Sequence, residues 1–154
     1  MVIGQMRTSR KGLSFFMGKT MAYAGYLLKI GNYTFPLSLI KADSYQAYKS
    51  VSDMDSYADA DGVLHRNALS HFAWKCEFET VPMMTDKTFG ALMASIYAQF
   101  TNATERKAVC IIYIPEINDY VSCDMYMPDI KPQMYYADGT KIQYDAVRFA
   151  FISY

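Results

Sequence analysis

The stretch that decides the fold runs from His71-Phe72-Ala73-Trp74-Lys75-Cys76-Glu77-Phe78-Glu79-Thr80 through Pro82 into Thr85-Asp86 and on to Phe100. Phe72, Trp74, Cys76 and Phe78 alternate with more polar neighbours. Successive side chains on a strand point to opposite faces, so these four share one face, and Lys75, Glu77 and Glu79 share the other. Pro82 ends the strand. Thr85 then offers a hydroxyl N-cap, and Asp86 puts negative charge in a first helical turn. Phe89, Leu92, Met93, Ile96, Tyr97 and Phe100 follow at the spacing of one helical stripe, which predicts a helix over about 85–100. A one-faced strand leading into a one-faced helix is satisfied when the helix lies on a sheet.

Working outward, the chain reads as a series of hairpins. Upstream, Gly31-Asn32 separates Tyr26–Ile30 from Tyr33–Phe35, a two-residue hairpin signal that Pro36 closes. Tyr45–Ser52 reads as a strand that enters an aspartate-rich run ending in the turn dipeptide Asp61-Gly62, and Val63–Leu69 returns. The result is a long hairpin at about 45–69, acidic on the way out and basic (His65, Arg66) on the way back. Downstream, Lys107–Ile114 is nearly all apolar and reads as a central strand covered on both faces. Tyr120–Met127 returns as its partner. Around Asp138-Gly139, Gln133–Ala137 and Lys141–Tyr154 make a last hairpin. Hairpins around one helix define an α+β class, a mostly antiparallel β-sandwich or barrel with the helix packed on the sheet.

The 154 residues suit a single domain, long enough to bury roughly 68–70 % of the unfolded chain's surface. Residues 1–20 differ from the rest. They are basic, carry Gly4, Gly12 and Gly18, and show no usable period, so they read as an N-terminal arm or as an extension ahead of a start at Met21. The domain proper is then 21–154. Lys plus Arg balances Asp plus Glu at 15 each, which gives no global field to draw nucleic acid or anionic lipid and suits a subunit that assembles. Cys76, Cys110 and Cys123 are an odd number within strands and read as buried thiols in a reducing compartment. No apolar run reaches the roughly 20 residues of a membrane span, and the N-terminus lacks a secretory core, so a cytoplasmic product is expected.

A search for chemistry yields no catalytic set. The two histidines are His65, after a turn, and His71, which lies on the opposite strand face from Cys76, so no nucleophile–base pair forms from them. Asp53, Asp55, Asp59 and Asp61 would share one face of an extended arm. A calcium loop with Gly62 at its sixth position would need carboxylates at Tyr57 and Ala68, so that motif fails and no metal is expected. The run is left as a solvated loop or an assembly contact facing basic residues. Phosphate-binding glycine patterns are absent, and no cofactor is implied. Arg7, Arg10, Lys11 and Lys19 make only a weak basic patch. Trp74 reads as core. Tyr135-Tyr136, and Tyr113 with Tyr120 and Tyr126, read as cross-strand packing or as a carbohydrate-binding face.

Over residues 22–154 this succession resembles small tailed-phage structural proteins encoded among tail genes. It consists of Tyr26-Leu-Leu-Lys-Ile-Gly-Asn-Tyr-Thr-Phe-Pro36, an Asp-rich arm, Asp61-Gly-Val-Leu-His-Arg66, the Trp74 strand, the Thr85 helix and the Asp138-Gly139 hairpin. Those proteins commonly open with a lysine–isoleucine–asparagine–glycine hairpin, here ordered Lys29-Ile30-Gly31-Asn32. They also carry a Gly-x-x-x-Arg hairpin, matched by Gly62 and Arg66. The resemblance implies tail-tube or distal-tail architecture, a sandwich or barrel closing into rings, often hexameric, around a lumen. It implies a non-enzymatic virion subunit made in the host cytoplasm, with itself and neighbouring tail proteins as partners and DNA passing without sequence-specific contact. The 45–69 hairpin would then be an inter-subunit arm, with Asp53, Asp55, Asp59, Asp61, His65, Arg66, Arg7, Arg10 and Lys11 as candidate assembly residues. The rival is a carbohydrate- or partner-binding β module with a Tyr-rich face.

Overall fold

The computed structural model describes residues 22–154 except 54, 55 and 67; at 52, 53, 68, 69 and 71 it describes the backbone alone. In chain order the strands are β1 (Leu28–Ile30), β2 (Tyr33–Thr34), β3 (Gln46–Asp53), β4 (Tyr57–Ala58), β5 (Leu64–His65), β6 (Ala68–Glu79) and β7 (Met84–Thr85). Then come helix α1 (Asp86–Tyr97), β8 (Lys107–Ile114), β9 (Asp119–Tyr126), β10 (Met134–Ala137), β11 (Ile142–Tyr144) and β12 (Arg148–Ser153). A seven-stranded sheet runs β2-β1-β8-β9-β12-β6-β3, a second of three strands runs β10-β11-β7, and β4 pairs with β5 alone. Every pairing is antiparallel. The architecture is the expected α+β one, a mostly antiparallel sheet structure with one helix.

The large sheet winds over its own core. Phe35, just past β2 at one edge, meets Phe78 of β6 and Phe149 of β12 near the other, with ring centroids 4.9 and 5.8 Å away. Phe78 and Phe149 stack at 5.6 Å, and all three rings are fully buried. Tyr45, leading into β3, fastens the seam. Its hydroxyl lies within hydrogen-bond reach of the backbone carbonyls of Tyr113 (2.7 Å) and Leu27 (3.1 Å), on the β8 and β1 side. Burial pushes that phenol far above its ordinary range, so it stays protonated and able to donate.

Local signals place the helix as expected. Thr85 Oγ1 accepts from the Thr88 backbone N–H at 3.4 Å, and Asp86 sits in the first turn. Phe89, Leu92, Met93 and Ile96 are buried, but the helix ends at Tyr97, which is exposed and packs only edge-on against Phe100. Gln99, past the helix end, accepts from the Asn32 N–H at 2.9 Å and so clamps the β1–β2 turn. Gly31 is required there: its φ is +56°, and a Cβ would lie 2.6 Å from Gln99 Oε1.

Three expectations are corrected. Strand β8 is central in the sheet but not covered on both faces. Ala108, Cys110, Ile112 and Ile114 are buried, while Val109 is 46 % exposed, because the sheet has a core on one side only. The last hairpin is not continuous either. Its returning arm breaks at 145–147, so β11 stays with β10 while β12 crosses into the large sheet between β9 and β6. At the break, Thr80 and Val147 exchange backbone and side-chain bonds: Thr80 N–H donates to Val147 O, and Val147 N–H donates to Thr80 Oγ1, both at 2.9 Å. Finally, Trp74 is only half-buried. Strand β6 outruns its partner β12, which pairs from Glu79 back to Lys75.

Thr80 is fully buried, so its hydroxyl is the local partner for a buried N–H. Thr80→Val keeps the shape and orphans the Val147 N–H, at an expected cost of about 1–3 kcal/mol in urea unfolding. Thr80→Ser, which keeps the acceptor, should recover most of that hydrogen-bond loss.

Candidate assembly surfaces

Beyond Lys75 the β3–β6 pair continues as a ribbon, from Lys49↔Trp74 to Val51↔Phe72, and after an irregularity to Asp53↔Ala68. Phe72 and Trp74 pack edge to face at 5.6 Å, and the Lys49 ammonium lies 4.1 Å over the Phe72 ring. In the chain, the small β4–β5 hairpin forms the tip between Asp53 and Ala68.

Asp59 builds that tip. Its Oδ1 accepts from the N–H groups of Asp61 and Val63, each at 3.0 Å, and Oδ2 lies 2.8 Å from His65 Nε2. Gly62, at φ +81°, lets the chain turn back, and its N–H donates to Asp59 O. Tyr57 stacks on His65 at 5.0 Å. The hydrogen bond to His65, followed by that from Val63 N–H, holds the Asp59 carboxyl below its ordinary range. A carboxyl with a depressed folded pKa contributes most above the ordinary carboxylate range and loses that contribution as pH falls through the depressed value. The tip should therefore loosen on acidification.

The candidate residues divide accordingly. Asp59 and His65 are brought together, not as opposing arms of an open acidic face but as the brace of one turn. Asp61 is exposed nearby, its N–H donating to Asp59 Oδ1, and Arg66 lies exposed at the end of the return strand. Asp53 ends β3, with its side chain outside the described residues. Asp55, Arg7, Arg10 and Lys11 also lie outside them. His65 stands beside an acid yet on an exposed tip rather than in a pocket, which gives no enclosed acid–base site there. Asp59→Ala should raise hydrogen exchange at the Asp61, Gly62 and Val63 amides and leave the melting temperature of the body unchanged. The check is exchange mass spectrometry beside a thermal melt.

Other polar features are spent internally. Burial pushes the Cys76 and Cys110 thiols up to about 12, and both pack in the core as free thiols. The open cleft near the start of β3 holds paired charges. Arg148 bonds Glu77, Tyr48 Oη donates to Glu77 Oε2 at 2.5 Å, and Lys41 reaches Glu79 at 3.5 Å. Tyr113 and Tyr120 also have their hydroxyls committed, Tyr113 Oη to Asn118 Oδ1 (2.6 Å) and Tyr120 Oη to Tyr26 O (2.8 Å). No group of three or more metal-ligating side chains gathers among the described residues, and no helix there is long and apolar enough to cross a membrane.

Exposed apolar side chains occur elsewhere too, Val109 and Ile117 among them, but two groups lie on or beside strands that lack neighbours. At the tip Tyr57, Val63 and Leu64 are 60, 54 and 60 % exposed. On β10, an edge strand exposed at every residue, Met134 and Tyr135 are each 58 % exposed and Tyr136 is 46 %. Alternation would have buried one face of β10, so its double exposure could not be read from the residue pattern. A bulge between Met134 and Tyr136 disturbs the strand. Unpaired strand edges and grouped apolar side chains are surfaces on which another chain can pack.

Residues 21–154 match the model of DUF6711, a family of unknown function, and the chain belongs to that family. No curated protein matches it. Two solved assemblies contain similar chains. One is the tail of an empty gene transfer agent particle, computed with helical refinement in C6 symmetry, with TM-score 0.47 and 12 % identity. The other is the virion of a native gene transfer agent particle, with TM-score 0.46 and 14 % identity. Each likeness covers 86 % of this chain and 95 % of the other.

Proposed function

We propose that this chain is a non-enzymatic structural subunit of a phage-type tail, in the tube, the distal tail or an adjoining adaptor, that assembles with its own copies into rings. The observation that carries the reading is the braced arm. A turn fixed by Asp59 and His65 holds Tyr57, Val63 and Leu64 out in solvent at the end of a ribbon. Exposed apolar side chains on an ordered projection are costly to keep unless a partner covers them. The sequence resemblance to tail proteins supplies the tail setting. The carbohydrate-binding rival is weakened by the internal use of the Tyr113 and Tyr120 hydroxyls, since a sugar platform needs free polar tips beside its rings.

Sedimentation and electron microscopy of the purified protein at rising concentration test this. Rings or their stacked products are expected. A strict monomer at every concentration, with no association with tail proteins, would overturn it.

A further inference from the structure

Strands β8 and β9 set two free cysteines directly across from each other: Cys110 and Cys123 are register partners in that antiparallel pair. Opposed residues of antiparallel strands point to the same face, and burial agrees. Cys110 is fully buried in the alternating row Ala108, Cys110, Ile112, and Cys123 packs against the same core between Val121 and Met125. Ser122 and Asp124, the exposed neighbours of Cys123, take the other face.

The backbone bonds fix the separation. Gly31 N–H donates to Val109 O at 2.8 Å and Tyr113 N–H donates to Leu27 O at 2.9 Å, so the odd residues of β8 turn their peptide groups to β1. The even residues turn theirs to β9, and Met127 N–H on Arg106 O at 3.1 Å continues that frame past the strand ends. Cys110 and Cys123 are therefore a hydrogen-bonded pair, with Cα atoms about 5.5 Å apart. That lies within the roughly 4.4–6.8 Å that a disulfide spans. Their Cβ atoms, at about 4.5–5.5 Å, must draw in to about 3.8 Å, which makes the bridge strained and easily reduced.

Access comes from one side. Strand β12 pairs with β9 only at Met125 and Tyr126, so among the described residues the β9 edge at Cys123 has no paired strand. Cys123 is accordingly part-exposed where Cys110 and Cys76 are not. Burial, then Asp124, raises the Cys123 thiol; burial, then Cys123 itself, pushes that of Cys110 up to about 12. Both thiols are thus protonated at rest, and their oxidation is slow.

We infer that Cys110 and Cys123 are a redox pair that closes to a reversible disulfide, with a small-molecule disulfide such as oxidised glutathione as the oxidant. Cys123 Sγ gives up its proton to water and attacks one sulfur of the oxidant. The S–S bond of the oxidant breaks, and one glutathione leaves as the thiolate. Cys110 Sγ, deprotonated in turn, attacks Cys123 Sγ, and the second glutathione leaves. Two protein thiols are oxidised, one small disulfide is reduced to two thiols, and the released thiolates take up the two protons. The inference is independent of the assembly reading.

The test incubates the folded chain with oxidised glutathione, quenches in acid, and maps linkages by non-reducing peptide mass spectrometry. A Cys110–Cys123 linkage is expected, with Cys76 still a thiol and with full reversal by dithiothreitol. The same oxidation in urea should give a mixture of pairings, which shows that the fold selects this one. Cys123→Ala should slow loss of the Cys110 thiol at least about tenfold, since the part-exposed sulfur is the point of entry. Cys110→Ala, if its melt is cooperative, should stop at one glutathione held on Cys123. The wild-type map decides the matter even if that variant fails to fold. A wild type that stops at the glutathione adduct, links Cys76 instead, or keeps all three thiols overturns the inference.

Discussion

Phe78→Ala is expected to remove about 3–5 kcal/mol of unfolding free energy, the range for truncating a fully buried aromatic ring. The site gives the number its meaning. Phe78 is where the two ends of the wound sheet meet, stacked on Phe149 at 5.6 Å and edge-on to Phe35 at 4.9 Å. Removing the ring strips contacts from both layers, and the backbone around it, hydrogen-bonded to β12 and β3 on either side, cannot collapse to fill the void. Trp74→Ala, four residues away on the same strand face, should cost only about 1–2 kcal/mol because that ring is half in solvent already. Urea unfolding of both variants, with unchanged m-values, checks the contrast. Equal losses would mean that β6 is buried along its whole length.

Ile96→Asp should leave no folded protein at neutral pH. Ile96 is fully buried on the inner face of α1, beside Leu92 and Met93, with no cation among the core side chains to receive a carboxylate. An unpaired charge in such a place costs several kcal/mol beyond the lost burial. A domain of this size holds only about 5–15 kcal/mol in all. Ile96→Val, which trims one methylene, should cost about 0.5–1.5 kcal/mol and keep the fold. Circular dichroism separates the two. A cooperative melt for the Asp variant at pH 7 would place residue 96 at the surface. Lowering the pH should favour the Asp variant relative to its state at pH 7, since the neutral acid is cheaper to bury than the anion.

How far such features could be read from the residues depended on their range. The Gly31-Asn32 turn, the Thr85 cap and the buried positions of α1 are set within a few residues of chain, and they stand where the pattern put them. The order of the large sheet is set by contacts far apart in sequence. Nothing in Arg148–Ser153 says that this strand lies between β9 and β6, although the apolar alternation of 141–154 shifts phase by one residue at the break, from Ile142 and Tyr144 to Val147, Phe149 and Phe151. Trp74 misleads for a similar reason: alternation assigns a face, but it does not say where the neighbouring strand stops. On the arm, four aspartates at odd-numbered positions suggested one charged face. The finer pattern Asp59-x-Asp61-Gly62-Val63, an acceptor followed by a glycine turn, was the signal that Asp59 turns inward. The exposed apolar run on β10 gave no such signal, because Met134, Tyr135 and Tyr136 fit a buried strand equally well.

The placement of β12 also bears on how the chain comes to be made. Residues 148–153 form an inner strand of the large sheet, yet they leave the ribosome after every other strand. Until they arrive, β9 and β6 each present an open edge, and the β9-β8-β1-β2 and β6-β3 parts share no strand pairing and meet through contacts such as Tyr45 on the Tyr113 and Leu27 carbonyls and Phe35 on Phe78. A strand added at the rim would finish a structure already able to stand; this one joins the two parts. Ribosome-stalled chains ending before residue 148 should therefore be protease-sensitive throughout, and protection should appear in one step once 148–153 clear the exit tunnel.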